Sequence, residues 1–270
     1  MKLDPLGAYL MPVGFGQQRP HSAGVFEDVW TLSVQYRTET DVLAEFLPEP
    51  FGPAEEPIVT VKCQMLRRVN VLAGGGYNLV GIDLAARFNG PAERLDGDFS
   101  LVIWENNAIP IIRGREVLGL PKVYGDIPDP LLAAGEWRAH CTENGRTLIE
   151  MHAIQGRRWQ RHELRELNAR TGRHYFGWKY VPNVDGIGAA VSYPVSVGIN
   201  EVIDSAWDAD GTVTYGDVSM ATNPQSSDIV TALRRLVVKD YLAASITRGS
   251  MTITRAKHRA LLLTTGTATA

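Results

Sequence analysis

The run GREVLGLPKVYG, residues 114–125, holds a single lysine, Lys122, among apolar and turn-forming residues. Leu118, Leu120 and Val123 flank it, Pro121 stiffens the approach and Tyr124 follows. Such neighbours make burial of the side chain the expectation, and an isolated buried ammonium is costly to desolvate. The least costly response is loss of the proton, which leaves a primary amine. In water only about one lysine in a few thousand is unprotonated at neutral pH, and a fall of roughly three pK units raises that fraction about a thousandfold. A neutral amine adds to a ketone, loses water and becomes an iminium, an electron sink for the neighbouring carbon. The competing reading is an ordinary solvated lysine, the commonest state of this residue.

Other motifs are weaker. AGGGY (73–77) places three glycines between two strand candidates with no helix behind them, so it reads as a turn and not as a phosphate cradle. HELRE (162–166) opens like a zinc-protease helix, but Glu166 stands where the second histidine belongs. The six histidines are scattered, and no G-x-S-x-G elbow occurs. Cys63 and Cys141 cannot make a disulfide framework and lack zinc spacing, so both read as small core residues. Metal and serine-hydrolase chemistry therefore lose ground.

The elements that must position the lysine are mostly strands. Alternating or β-branched runs occur at 29–37, 58–66, 77–88, 98–106, 109–118, 136–142, 147–155, 174–182, 197–208 and 250–258. Helical pattern is confined to 38–48, to 160–170 and to 226–245, where Ile229, Leu233, Leu236 and Val237 share a face. No long linker or internal repeat divides the chain, so the 270 residues are expected to form one α+β domain on a large antiparallel sheet, curved or closed. The 27 basic and 30 acidic residues leave a net charge of −3 without long like-charged runs, which argues against nucleic acid or an anionic membrane as partner. The first residues lack an uninterrupted apolar segment and no stretch reaches membrane-spanning length, so the expected location is cytoplasmic.

Four stretches, YRTETDVLAEFLPEPF (36–51), ARFNG (86–90), WENNAIPIIRGREVLGLPKVYGDIPD (104–129) and KYVPNVDG (179–186), together resemble the acetoacetate decarboxylase superfamily, and the match spans most of the chain. That resemblance implies a cone-like β-barrel with a few packed helices, a homo-oligomer (dimer or tetramer), no cofactor, and Lys122 as the Schiff-base lysine. Lysine activation in acetoacetate decarboxylase is itself a standard example of such chemistry. The departures matter as much. Decarboxylases of the family carry a second lysine after the first, an arginine before the YRT strand and a glutamate before FNG; here those positions are Val123, Val29 and Leu79. With no second cation at position 123, a neutral amine must rest on desolvation. The pattern is thus closer to the aldolase-dehydratases of the superfamily, which condense pyruvate with an aldehyde. A decarboxylase acting on a 3-oxo acid, a 2-oxo acid dehydratase or cyclase, and a non-catalytic ligand-binding barrel are the alternatives.

Such chemistry needs a proton carrier and a partner for the substrate carboxylate. Glu116, six residues before Lys122, would share its face in an extended chain, with an ion pair to Arg113 or Arg115 as the competing reading. Arg113 or Arg115 could hold a carboxylate through two N–H groups. Gln64 and Tyr77 lie on strands expected to line the same cavity, each also explicable by packing. Tyr241, in the last helical run, takes the place of a histidine of the decarboxylases and is a candidate proton shuttle.

Overall fold

The computed structural model describes residues 2–18, 22–170 and 172–263. In chain order its regular elements are β1 (Ala23–Arg37), α1 (Thr40–Ala44), β2 (Phe51–Pro53), β3 (Ile58–Val69), β4 (Tyr77–Asn89), β5 (Arg94–Glu105) and α2 (Ala108–Arg113). A π-helical turn, Gly114–Leu118, leads from α2 into β6 (Lys122–Tyr124). Then come β7 (Leu131–Ala133), β8 (Glu136–Glu143), β9 (Arg146–Arg158), α3 (Arg161–Ala169), β10 (His174–Pro182), β11 (Ala189–Val197), β12 (Ile199–Tyr215), α4 (Ser227–Leu233), β13 (Asp240–Thr254) and β14 (Arg259–Ala260).

All the strands belong to one sheet, in the order β14-β11-β10-β5-β4-β3-β1-β13-β12-β9-β8-β7, with β2 on β4 and β6 on β5. The hydrogen-bonded ladder has two ends, yet the chain itself joins distant parts of it. β11 stops at Val197 and β12 starts at Ile199, so β10 on one flank and β13 on the other are bound to a nearly continuous extended segment. That continuity completes a circuit β10-β5-β4-β3-β1-β13-β12/β11 and gives the curved, barrel-like wall. Gly198 is the joint: a Cβ there would come 2.2 Å from Lys257 Cβ, so only hydrogen fits.

Strand alternation divides the buried side chains between the two faces of this wall. Val59, Val61 and Cys63 of β3 and Val80, Ile82 and Leu84 of β4 enter a large cluster with Trp104, Ile149, Met151 and the inner side of α4. Leu66, Val69, Tyr77 and Leu79 enter a smaller cluster with Phe26, Val29, Ile103, Leu120, Val195, Val197 and Met251. β4 lies between the two, which is why residues 77–86 are buried without interruption.

The α+β class on a large curved sheet agrees with the sequence, and strands cover most of the expected runs. Three expectations fail in whole or in part. Residues 109–118 are not a strand: the Asn107 side chain accepts the Ile109 N–H, Pro110 sits in the first turn where it forfeits no bond, and the segment winds as α2 and the π turn. The helix expected over 226–245 ends at Leu233, and 240–254 is β13, clamped between β1 and β12. Strand pairing on both sides overrides the local helical pattern there. The run 250–258 likewise leaves β13 at Thr254 and turns at Arg255–Lys257. β11 was not foreseen.

Candidate active site

The turn before β6 is shaped around Lys122. Gly119 has φ +69°, and a Cβ there would lie 2.7 Å from Lys179 Cβ. The Leu120 N–H closes the loop onto the Gly114 carbonyl at 3.0 Å, and the Ile103 N–H donates to the Pro121 carbonyl at 3.1 Å. β6 is thereby held parallel to β5 with Lys122 beside Ile103. Gly114 is needed for another reason. Its φ of −62° suits any residue, but a Cβ would stand 2.3 Å from Lys122 Cδ and 2.5 Å from Cε. Its lack of a side chain is the slot through which the lysine arm runs. Both glycines of the G-R-E-V-L-G-L-P-K run thus serve one side chain.

Within that slot the amine meets a carboxylate. Lys122 Nζ lies 2.6 Å from Glu105 Oε1, with the two side chains 8% and 0% exposed. Glu105 is the last residue of β5 and points to the same face as Ile103, the face of the smaller apolar cluster. Its second oxygen, Oε2, is buried with no hydrogen-bond partner among the described residues. Burial pushes the Glu105 carboxyl above the ordinary glutamate range, and the attraction of Lys122 offsets only part of that rise. Tyr77, also in this cluster, has its hydroxyl pushed well up by burial and further by the charge of Glu105. Val29 and Leu79 are both 6% exposed and belong to the same apolar lining.

A buried pair of this kind has two arrangements of one proton: ammonium with carboxylate, or amine with carboxylic acid. Desolvation penalises the first, because it separates charge in apolar surroundings. The second offers a nucleophilic amine and, 2.6 Å away, the acid that a departing hydroxyl needs. The orphaned Oε2 leaves the carboxyl an unused lone pair among apolar neighbours.

The residues expected from sequence are distributed unevenly. Tyr77 belongs to the apolar cluster on the face of Lys122 and Glu105. Gln64 is buried and donates to Thr31 Oγ1 at 3.0 Å, with Leu79 directly across the ladder. Glu116 is exposed on the π turn; the shared face with Lys122 required an extended chain, and the helical winding of 108–118 removes that relation. Arg115 donates from Nη1 to the Lys122 carbonyl at 2.9 Å and lines an apolar cavity of about 280 Å³ with Phe46, Val123, Ile229 and Leu233. Those neighbours belong to the large cluster, across β6 from the amine. Arg113 is half-buried in the last turn of α2. Tyr241 lies on β13 and not on a helix; its hydroxyl accepts the Val213 N–H at 3.2 Å and its ring stands edge-on to Tyr36 of the large cluster. It is not brought to Lys122. The residue missed is Glu105. Its signal is a carboxylate ending the apolar strand FSLVIWE, but only the parallel β5–β6 pairing reveals its target.

Comparison with known proteins agrees with this architecture. The family model of acetoacetate decarboxylase (ADC) matches residues 10–261. A curated acetoacetate decarboxylase of Clostridium botulinum (strain Eklund 17B / Type B) is 26% identical over 191 residues, 70% of this chain and 74% of the relative. Among solved structures, one described as a structural study of acetoacetate decarboxylase superposes with TM-score 0.75 at 19% identity, covering 95% of this chain and 96% of that one. The enduracididine biosynthesis enzyme MppR, complexed with the condensation product of pyruvate and imidazole 4-carboxaldehyde, superposes with TM-score 0.71 at 16% identity, covering 96% and 97%. At such identities the structural likeness speaks for the fold, and the family match over nearly the whole chain speaks for descent. The chain belongs to the acetoacetate decarboxylase family and is a lyase-type enzyme with that family's fold.

Proposed function

We propose that this enzyme is a Schiff-base aldolase-dehydratase that condenses pyruvate with an aldehyde. The observation that carries the reading is the buried Lys122–Glu105 pair with one carboxylate oxygen unpartnered. The Lys122 amine adds to the ketone carbon, and Glu105, as acid, gives its proton to the new hydroxyl, which leaves as water. The resulting iminium cation faces the Glu105 carboxylate. Glu105 then takes a proton from the adjacent methyl carbon, and the electron pair released makes an enamine. The enamine carbon attacks the aldehyde carbon while the aldehyde oxygen recovers the proton from Glu105. Repetition of the same transfer, from the new CH to the new hydroxyl, expels water and leaves a conjugated iminium. Hydrolysis by water frees the unsaturated 2-oxo acid and restores the amine. Throughout, amine and carboxyl together carry no net charge, which suits their apolar neighbours Val29, Leu79, Ile103 and Leu120.

The same lining supports condensation over loss of carbon dioxide. Decarboxylation calls for charged groups that press on the leaving carboxylate, and positions 29 and 79 offer a valine and a leucine. Borohydride reduction in the presence of pyruvate, read by mass spectrometry, tests the capture step, and NMR of mixtures with an aldehyde or with acetoacetate tests its outcome. The wild-type enzyme is expected to gain one reduced pyruvate per chain and to form an enone acid. Lys122→Arg is expected to abolish both; a reducible adduct in that variant would mean that another lysine is the nucleophile. Carbon dioxide from acetoacetate, without condensation, would replace this reading by decarboxylation.

A further inference from the structure

A second lysine, half-buried, stands on the wall that carries Lys122. Lys62 of β3, Gly81 of β4, Ile103 of β5 and Lys122 of β6 are direct neighbours in register, so the two lysines occupy one cross-strand row on one face. Three strand spacings separate them, roughly 14 Å between Cα positions. Both arms lean inward across one strand. Lys62 lies over Gly81, where a Cβ would be 3.3 Å from its Cε, and reaches Asp83 of β4. Lys122 reaches Glu105 of β5.

Lys62 Nζ is 2.7 Å from Asp83 Oδ2 and 3.5 Å from the Tyr175 hydroxyl. That hydroxyl donates toward Asp83 Oδ1 at 2.9 Å and lies 3.0 Å from Ser100 Oγ. Burial opposes the Lys62 charge, but Asp83 and Tyr175 outweigh it and hold the ammonium more firmly than in water; Glu201 of β12 adds a smaller attraction. The side chain keeps 20% of its surface open, and half-buried Thr31, Ser33 and Thr60 surround it on the same wall. The capture chemistry uses none of these groups.

Resting on the assignment of Lys122 as the nucleophile, we propose that Lys62 is a specificity determinant that receives a carboxylate at the far end of the aldehyde acceptor. Pyruvate's own carboxylate is one bond from the captured carbon and falls short of Lys62. A condensed chain of about six carbons, extended along the wall, spans the interval. Lys62 is a fixed cation with three donors, of which Asp83 and Tyr175 take two. The third donor is left for an incoming carboxylate, and the open part of the side chain gives it access.

The test compares 4-oxobutanoate with butanal, aldehydes of equal chain length, as acceptors for pyruvate. Wild-type enzyme is expected to favour the anionic acceptor by about tenfold or more in kcat/KM. Lys62→Met should bring that ratio near one and leave borohydride trapping of pyruvate alone within a few-fold, while Lys62→Arg should restore part of the preference. Asp83→Asn, which frees Lys62 without removing it, should raise the preference. Equal use of the two aldehydes by wild type, an unchanged ratio in Lys62→Met, or equal losses of trapping and condensation would overturn the proposal, as would a lowered ratio in Asp83→Asn. Absence of a pyruvate adduct in wild type would instead overturn the Lys122 assignment, and this inference with it.

Discussion

The molecule holds two lysine–carboxylate pairs on one face of one sheet, one buried and one half-buried, and they differ in how completely their atoms are satisfied. Around Lys62, both oxygens of Asp83 have partners and Tyr175 ties the group to Ser100. Around Lys122, one oxygen of Glu105 bonds the amine and the other bonds nothing among the described residues. The supporting glycines differ in the same sense. Lys122 is threaded past Gly114 with no room for a methyl group, whereas Lys62 rests on Gly81 at a distance that a small shift would relieve. A buried ion pair is weak evidence for stability, since desolvation consumes most of its Coulomb energy. The contrast therefore bears on the proposed function: the saturated pair suits holding a charge in place, and the unsaturated pair suits moving a proton.

The largest way to break the contrast is to remove the mobile proton. Glu105→Gln keeps the shape and deletes the acid, so pyruvate trapping should slow by roughly 10²–10⁴-fold, the range of general acid–base assistance. The pH profile gives the sign. The capturing form of the pair holds one proton, as amine with carboxylic acid. Because burial raises the Glu105 carboxyl, the acid is still present at a pH where an exposed glutamate has lost it, and as pH falls a second proton turns the amine into an ammonium, so the rate should fall. Glutamine cannot share a proton with the amine, so the profile of the variant should shift from that of wild type; an unchanged profile would assign its limbs to other groups.

Next in size is Gly114→Ala. The backbone tolerates alanine, so the cost falls on the lysine arm, which must leave its slot and carry Nζ away from Glu105. Trapping should fall by about 10–100-fold, as expected for a small misplacement of a reacting group, while the melting temperature moves by only a few degrees. Gly81→Ala, the matching change under Lys62, should leave trapping within about twofold of wild type, because its nearest contact is the pliable Cε at 3.3 Å. Equal losses in the two variants would erase the distinction between the slots.

How much of this was legible beforehand follows from where each constraint lies. Lys122 announced itself because a cation among Leu118, Leu120 and Val123 conflicts with its surroundings locally, and strands such as 77–88 and 147–155 carry their apolar pattern within a few residues. Glu105 did not, since a glutamate at a strand end is ordinary until the parallel pairing of β5 with β6 places Lys122 beside it. Glu116 was misplaced because the Asn107 cap and Pro110 turned an apolar stretch into a helix. Tyr241 was misplaced because β1 and β12 claim 240–254 from both sides, a demand that appears only in the folded sheet. Lys62, among β-branched neighbours in IVTVKCQML, had the same sort of local signal as Lys122.

Val123→Lys probes the contrast more gently by adding a third lysine beside the first. Successive residues of β6 face opposite ways, so the new ammonium would enter the cavity of Phe46, Ile229 and Leu233, near the Arg115 guanidinium. It should lower stability by about 1–2 kcal/mol through lost packing and like-charge repulsion, measurable by denaturant titration. It should not release carbon dioxide from acetoacetate, because the sheet separates it from the carboxyl of Glu105.

The smallest effect belongs to Tyr241→Phe. A proton shuttle must reach the reacting atoms, and this hydroxyl is occupied with the Val213 backbone, next to Tyr36 and on the side of the wall away from Lys122. Its loss costs one partly exposed hydrogen bond, about 1 kcal/mol, and should leave trapping and condensation within about twofold. A tenfold loss of condensation with trapping intact would show that the phenol reaches the second half-reaction, and the two faces of the sheet would then have to be treated as one site.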